Sequence, residues 1–450
     1  MSHEAGRNRL DHWEGNMIRF ATGWRRALGI AVAGTVLTTA SAAFAATTLT
    51  VWCWDPNFNG VTMREAGDIY TKTHPDVSLN VIDTTTQDDV RTKLQAQLLS
   101  GSTDGLPDIV LIEDDIAQKY LQAFPDAFEP LSDSIDMSKF AQYKVAAATV
   151  NGKSYSLPFD SGVAGLFYRS DYLAQAGYKA DDLKDITWDD LIKIGKDVLA
   201  KTGHQMLDID YSERGLIHLM LQSVGQWYFT PDGKLDILDN AALKASLEEY
   251  AKIWQSGIVK PVSGWSNFTG GFTSGEIASV PIGVWITGTL KANADQSGKW
   301  AVAPIPKLAG FPNAVHASNW GGSSWYIFDK AKNKAGAIDF LKSVWANKSP
   351  DALGFYNTIL KGAGAMGTYL PSRVGSNYTA KDEFFYKSQP VFADFAKWME
   401  KVPAVRYTAN FNAMGTALTA SISKYLKGDL KTPEAVVADA TTAYKQQVSQ

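Results

Sequence analysis

Cysteine is nearly absent from this chain: Cys53 is the only one in 450 residues. It sits inside an apolar stretch, so a disulfide framework and a thiolate metal site are both excluded. Following Trp52 rather than a signal cleavage point, it is not placed for lipid attachment either. The six histidines show no H-E-x-x-H or similar spacing, which leaves no metal centre to place. Beyond residue 45 no apolar run approaches the roughly 20 residues of a membrane-spanning helix. Internal repeats, low-complexity tracts and a recognisable linker are missing. So is an excess of positive charge: the formal net charge is −4, which argues against a nucleic-acid partner, since that needs a basic face.

What is present begins with an export signal. Arg25-Arg26 precede an apolar run from Ala27 to Leu37, and Ala43-Phe44-Ala45 fits an A-x-A cleavage pattern. Glu4, Asp11 and Glu14 precede Met17, whereas residues 17–45 carry three arginines and no acid, so translation is expected to begin at Met17. Residues 1–45 read as the signal region, with the mature chain starting near Ala46. Removing them takes five arginines and three acids from totals of 43 and 47 and leaves a net charge of −6. An exported chain without a lipid anchor fits a Gram-negative periplasm. About 400 mature residues exceed what one core supports, so two domains are expected. With no linker between them, the chain must pass from one to the other through structured elements.

Strands are predicted at Leu49–Trp54, Val77–Ile82 and Asp108–Ile112, alternating with helices at Thr62–His74, Asp88–Ser100 and Ile116–Phe124. That alternation implies an α/β fold with a parallel sheet. Thr187 and Asp190 form the two halves of a capping box at the start of a further helix. Other helices are predicted at Asn240–Gln255, Lys334–Asn347 and Thr432–Gln447, with strands at Ile277–Val284, Trp300–Ile305 and Ser324–Phe328.

The stretch Val150–Leu173 is the most informative. Asn151-Gly152 suits the positive-φ positions of a tight hairpin turn, and Pro158 ends the strand that follows. An apolar run, Val163 to Tyr168, comes next. Asp160 stands at the join as an unpaired carboxylate and Tyr168 presents a hydroxyl at the far strand end. This is either a surface hairpin or a domain crossing with polar groups aimed into a cleft.

Ligands of open α/β sheets bind at the carboxyl ends of strands. The first strand ends at Trp54-Asp55 and the third at Glu113-Asp114-Asp115, which are candidates for hydrogen-bonding hydroxyl groups. Asp114 or Asp115 equally suits a helix cap. Of the fourteen tryptophans, Trp52, Trp188, Trp254, Trp300, Trp325, Trp345 and Trp398 lie at core-like spacings. Trp227, Trp265, Trp285 and Trp320 sit at element ends or in Gly/Ser-rich loops, where an indole face can cover an apolar sugar face. Gly321 and Gly322 allow the backbone to approach a ligand closely. The segment Gly362–Gly367 matches G-x-G-x-x-G, but it lacks a preceding strand and a following helix, so it is no dinucleotide loop.

The ordered motifs LTVWCW, LPDIVLIED, NGKSYSLPFD, GLFYRSDYL, TWDDL, GEIASVPIGVW, WAVAPIPKLAG, NWGGSSWYI, AIDFLKSVW and TYLPSRV resemble those of the extracellular solute-binding proteins of carbohydrate ABC importers, the group similar to maltodextrin-binding protein. The resemblance spans nearly the whole mature chain. It implies two α/β lobes with a ligand cleft between them and crossings near Pro158–Gly162, Ala303–Leu308 and Gly362–Thr368. Lobe one would comprise residues 46–158 and 304–360, and lobe two residues 159–303 and 361–450. It favours Trp285 and Trp320 as cleft residues, makes Asp160 a hinge or cleft residue and Tyr168 a ligand contact, and offers Arg373 as the one basic candidate.

The function so implied is a monomeric, non-enzymatic receptor without cofactor. It would capture a neutral mono- or oligosaccharide by hinge closure and deliver it to membrane permease subunits. A secreted glycoside hydrolase is the rival, but no catalytic carboxylate pair is recognisable. A receptor for a sugar phosphate or glycerol phosphodiester would need a basic pocket, whereas these candidates are mostly acidic.

Overall fold

The computed structural model describes residues 47–448 apart from 85, 86, 212 and 231. The signal region, the start at Met17 and the mature terminus near Ala46 lie outside the described residues. The chain opens with β1 (Thr47–Trp54), α1 (Val61–Thr71), β2 (Val77–Thr84), α2 (Gln87–Ser100), β3 (Ile109–Glu113) and α3 (Asp114–Ala123). After α4 (Gln142–Ala147) come the short strands β4 (Thr149–Val150), β5 (Lys153–Ser154) and β6 (Ser156–Pro158), then β7 (Ala164–Arg169) and α5 (Ser170–Gln175). Asn151 and Gly152, at φ 50° and 78°, make the β4–β5 turn. Next are α6 (Trp188–Thr202), β8 (Leu207–Asp210), α7 (Gly215–Ser223), α8 (Ala241–Gln255), β9 (Val259–Val262) and α9 (Trp265–Thr273). They lead to β10 (Ser279–Gly283), α10 (Thr287–Lys291), β11 (Trp300–Ala303) and β12 (Ser323–Ile327). The helices α11 (Lys334–Trp345), α12 (Pro350–Ala363), α13 (Ser376–Thr379), α14 (Val391–Met399), α15 (Phe411–Lys427) and α16 (Pro433–Val448) complete it. The α6 capping box forms as its sequence requires: the Thr187 N–H donates to the Asp190 carboxylate at 2.9 Å and the Asp190 N–H to Thr187 Oγ1 at 3.2 Å.

Five strands form a sheet in the order β2-β1-β3-β12-β6. β1 runs parallel to β2 and β3, but β12 is antiparallel to β3 and β6. The sheet is therefore mixed, not parallel, because β12 enters from the edge at which β3 ends, Ser323 lying opposite Glu113. Side chains alternate across it. Leu49, Val51, Leu111, Leu157 and Trp325 pack with α1, α11 and α12, while Val110, Ile112 and Tyr326 pack with α2 and α3. A second, antiparallel sheet has the order β10-β7-β11. Leu166 and Tyr168 face one core there, and Phe167, Ile282 and Trp300 face the other.

Three stretches run side by side where the two halves join. Asp160 bridges to Gly367 and Val163 to Asn319, and the Ser161 N–H donates to the Met366 carbonyl at 2.8 Å. The crossing expected near Ala303–Leu308 is displaced: Ile305 and Leu308 pack in the core of the three-stranded half, and the chain joins the five-stranded sheet only at Ser323. The glycines from 362 onward fall at the end of α12 and in the extended crossing after it, with Gly364 closing the helix at φ 70°.

Candidate functional site

The carboxyl edge of the five-stranded sheet is held by buried ionic contacts. Lys144 is fully buried and its ammonium pairs with Asp114, while also donating to the Ser323 carbonyl at 2.9 Å. Ser324 Oγ donates to the other Asp114 oxygen at 2.9 Å. Burial raises the Asp114 carboxyl to about 6 against the pull of Lys144. Asp160, expected as an unpaired carboxylate, instead accepts from the Ser323 N–H at 2.8 Å and the Ser323 hydroxyl at 2.6 Å. It clamps the first crossing to the second. Asp114 and Asp160 are thus both buried and engaged by the protein itself. Gly322, at φ 102°, fits over them because a Cβ there would stand 3.0 Å from Asp114 Oδ2 and 2.9 Å from Lys144 Nζ.

Beside this clamp the same edge presents Trp54, half-buried at the end of β1, and Asp55, exposed with φ 50°. Glu113 is gripped by Arg91, whose Nε and Nη2 donate to its two oxygens at 2.9 and 2.5 Å. Burial, and secondarily the neighbouring Asp115, push the Glu113 carboxyl up to about 7, against the pull of Arg91. Asp115, at the start of α3, is also raised by burial, while Arg91 and Arg214 lower it. Arg214 comes from the other half of the molecule, at the head of α7, where its Nη1–H donates to Thr419 of α15 at 2.9 Å. Asp115 is therefore under the influence of two arginines, Arg91 from its own half and Arg214 from the other.

Beside Arg214 stands an aromatic wall. Gly215 admits the Trp320 ring, since a Cβ on it would lie 2.1 Å from that indole. The Trp320 N–H donates to Gly162 and its carbonyl accepts from Trp285 Nε1–H, each at 2.8 Å. Trp265, 54% exposed at the start of α9, lies 5.7 Å from the Trp285 ring, and Phe268 lies 6.4 Å from Trp320. Gly321 packs against the Trp285 indole. Two buried polar atoms next to this wall, Arg214 Nε and Asn319 Oδ1, are among those without a hydrogen-bond partner.

Three expected ligand contacts are placed elsewhere. Tyr168 is 2% exposed in the core against α5 and α6, and burial pushes its hydroxyl up to about 12. The reason is strand direction: β7 starts at the crossing, so its end points away from it. Trp227 is packed among His218, Tyr228, Tyr407 and Phe411 inside the same half. Arg373 is consumed in holding its own turn to α14, donating to Glu400 at 2.5 Å and to the Ala396 carbonyl at 3.1 Å. Asp115 stays at the site as the strand-end reading expected, whereas Arg91 and Arg214 join it without having been singled out. The one local signal for Arg214 is its place between Glu213 and the helix-opening Gly215.

Residues 65–359 match the family of bacterial extracellular solute-binding proteins. A lactose-binding protein of Rhizobium radiobacter is 50% identical over 404 residues, 90% of this chain and 94% of that protein. An arabinooligosaccharide-binding protein of Bacillus subtilis (strain 168) is 27% identical over 70% of this chain and 72% of its own length. In structure the chain is similar to the sugar-binding protein MalE of Xanthomonas citri, with a TM-score of 0.72 at 18% identity over 90% of this chain and 98% of that one. Its two-lobed architecture is that of periplasmic binding proteins, and no helix among the described residues is long and apolar enough to cross a membrane. Two sheets joined by adjacent crossings, with aromatic rings and paired charges gathered beside them, thus meet a family match over most of the chain: it belongs to the bacterial extracellular solute-binding proteins.

Proposed function

We propose that this protein captures a neutral disaccharide of the lactose type between its lobes and delivers it to the permease subunits of an ABC importer. The observation that carries the reading is the aromatic wall of Trp265, Trp285 and Trp320 beside charged side chains from both halves. Indole faces cover the C–H side of a pyranose. Carboxylate and guanidinium groups exchange strong hydrogen bonds with its hydroxyls. The relative at 50% identity is a lactose-binding protein, which supports lactose as the first ligand to try.

Capture works by closure in this reading. The sugar settles on the wall, and the lobe carrying Glu113 and Asp115 completes its hydrogen bonds, shifting a pre-existing equilibrium by its differential affinity for the closed form. Lobe one takes residues up to 158 together with those from Ser323 through α12, and the rest forms lobe two. The protein acts as a periplasmic monomer without catalysis. Basic groups at the lobe-one edge are answered by acids, Arg64 by Asp83, Arg91 by Glu113 and Lys144 by Asp114, which favours a neutral ligand over a phosphate.

The test is a thermal-shift and calorimetric screen of the mature chain against lactose, other disaccharides, monosaccharides and sugar phosphates. A ligand at 100 times its Kd stabilises by roughly 2.7 kcal/mol, so lactose is expected to raise Tm clearly. A shift with phosphates alone, or sustained release of monosaccharide from lactose, overturns the proposal.

A further inference from the structure

The helix α9, which carries Trp265 into the aromatic wall, sits on β8 through two aspartates of one strand face. Asp210 takes its N-terminal end: the Gly264 N–H donates to Asp210 Oδ2 at 2.6 Å, where a carboxylate complements the helix dipole. Asp208 takes the last turn, where Gly271 rests directly on its carboxyl. A Cβ at that glycine would stand 2.2 Å from Asp208 Oδ2. Asp208 is 5% exposed and neither of its oxygens has a hydrogen-bond partner. A buried, unpaired carboxylate beside carbonyl-rich helix turns is costly, whereas the neutral acid is tolerated.

We propose that Asp208 is a positioning residue for solute capture: as a neutral carboxyl it seats α9 and thereby Trp265, and loss of its proton unseats them. The inference rests on α9 belonging to the ligand wall, as proposed above. The groups facing Asp208 do not offer it a dedicated counter-charge. On β9 its register partner Lys260 is paired with Glu276, which follows α9. Asp210 lies two residues on, α9 itself has no titratable side chain, and Arg169 beside Gly275 is held by Asp171. An open hollow of about 590 Å³ lies between α9 and β9, lined by Lys260, Ser266, Asn267, Gly271 and Glu276.

The pH window follows from linkage. Burial raises the Asp208 carboxyl from 3.8 to about 7; its own main-chain N–H and then Lys260 pull the other way, and Glu276 adds a little to the rise. Between those values seated α9 holds a proton that the unseated form releases. Seating therefore weakens as pH rises through that range and levels off above it.

Hydrogen exchange of the α9 amides, corrected for intrinsic rates, tests this in the whole protein without sugar. In the wild type the open population should rise by up to about tenfold per unit between roughly pH 4.5 and 6.5 and flatten above about pH 7.5. Asp208→Asn, of the same shape but unable to ionise, should be flat. Gly271→Ala should open α9 at every pH, and it serves as the second variant if the first does not fold. Equal pH courses in wild type and Asp208→Asn, or unchanged protection in Gly271→Ala, overturn the inference. Lactose titrations run alongside should show the affinity gap between Asp208→Asn and wild type widening across the same window. A gap that stays constant there while α9 opens overturns the link to capture. Failure of every protein to bind any sugar removes the proposed function while the exchange result still decides Asp208.

Discussion

The indole N–H of Trp285 donates to the main-chain carbonyl of Trp320 at 2.8 Å, so one ring of the aromatic wall is fixed by the backbone of the next. The bond joins the end of the three-stranded sheet to the second crossing, and it sets the angle at which Trp285 meets Trp265. Trp285→Phe keeps a flat ring but loses this donor. About 1–2 kcal/mol of sugar affinity should go with it, from the bond and the smaller ring face. Calorimetry should show a Kd raised roughly 5- to 30-fold, and the unfolding midpoint should move little.

Asp160 makes a different prediction from the one its sequence context suggests. Its carboxylate satisfies both the N–H and the hydroxyl of Ser323 in a buried site. Asp160→Ala leaves two buried donors without an acceptor, which should cost about 1–3 kcal/mol each at most. Urea unfolding should therefore register the loss, and Ser323→Ala, which removes only the hydroxyl, should cost less. A variant of full stability with weakened sugar binding would mean that Asp160 acts on the ligand and not on the crossing.

Much of the fold was legible in the sequence, because strand and helix periods, caps and turns are local properties. The α6 capping box and the Asn151-Gly152 turn need only neighbouring residues. Pairing at long range was not legible. The acceptor role of Asp160 depends on Ser323, 163 positions away, and the reversal of β12 depends on where the chain re-enters the sheet. Tyr168 illustrates the same limit: the rule that ligands gather at strand ends holds only for strands running towards the cleft, and β7 runs away from it. Trp285 and Trp320 were singled out through the order of motifs, whereas Arg214 had only a glycine beside it to mark it.

Glu113 gives the site a pH dependence of its own. Its carboxyl titrates at about 7 in the fold against an ordinary 4.5, chiefly through burial, so the folded state keeps a proton that the unfolded chain releases. Its contribution to stability must then fall as pH rises from about 4.5 to about 7 and stay level above that. Glu113→Gln cannot follow this course. The difference in unfolding free energy between wild type and variant, measured by urea titration across that range, should change in the same direction and then flatten.

Gly215→Ala separates ligand binding from stability. The new methyl would stand 2.1 Å from the Trp320 ring, so the indole must move. Residue 215 opens α7, where alanine is the better helix former by up to about 1 kcal/mol. The fold should consequently keep its stability, or lose only what the displaced ring costs, while the wall loses its alignment with Trp285. Sugar affinity should drop at least about tenfold, equivalent to 1.4 kcal/mol, with the midpoint of thermal unfolding within a few degrees of wild type. Unchanged affinity would show that the Trp320 face takes no part in holding the solute.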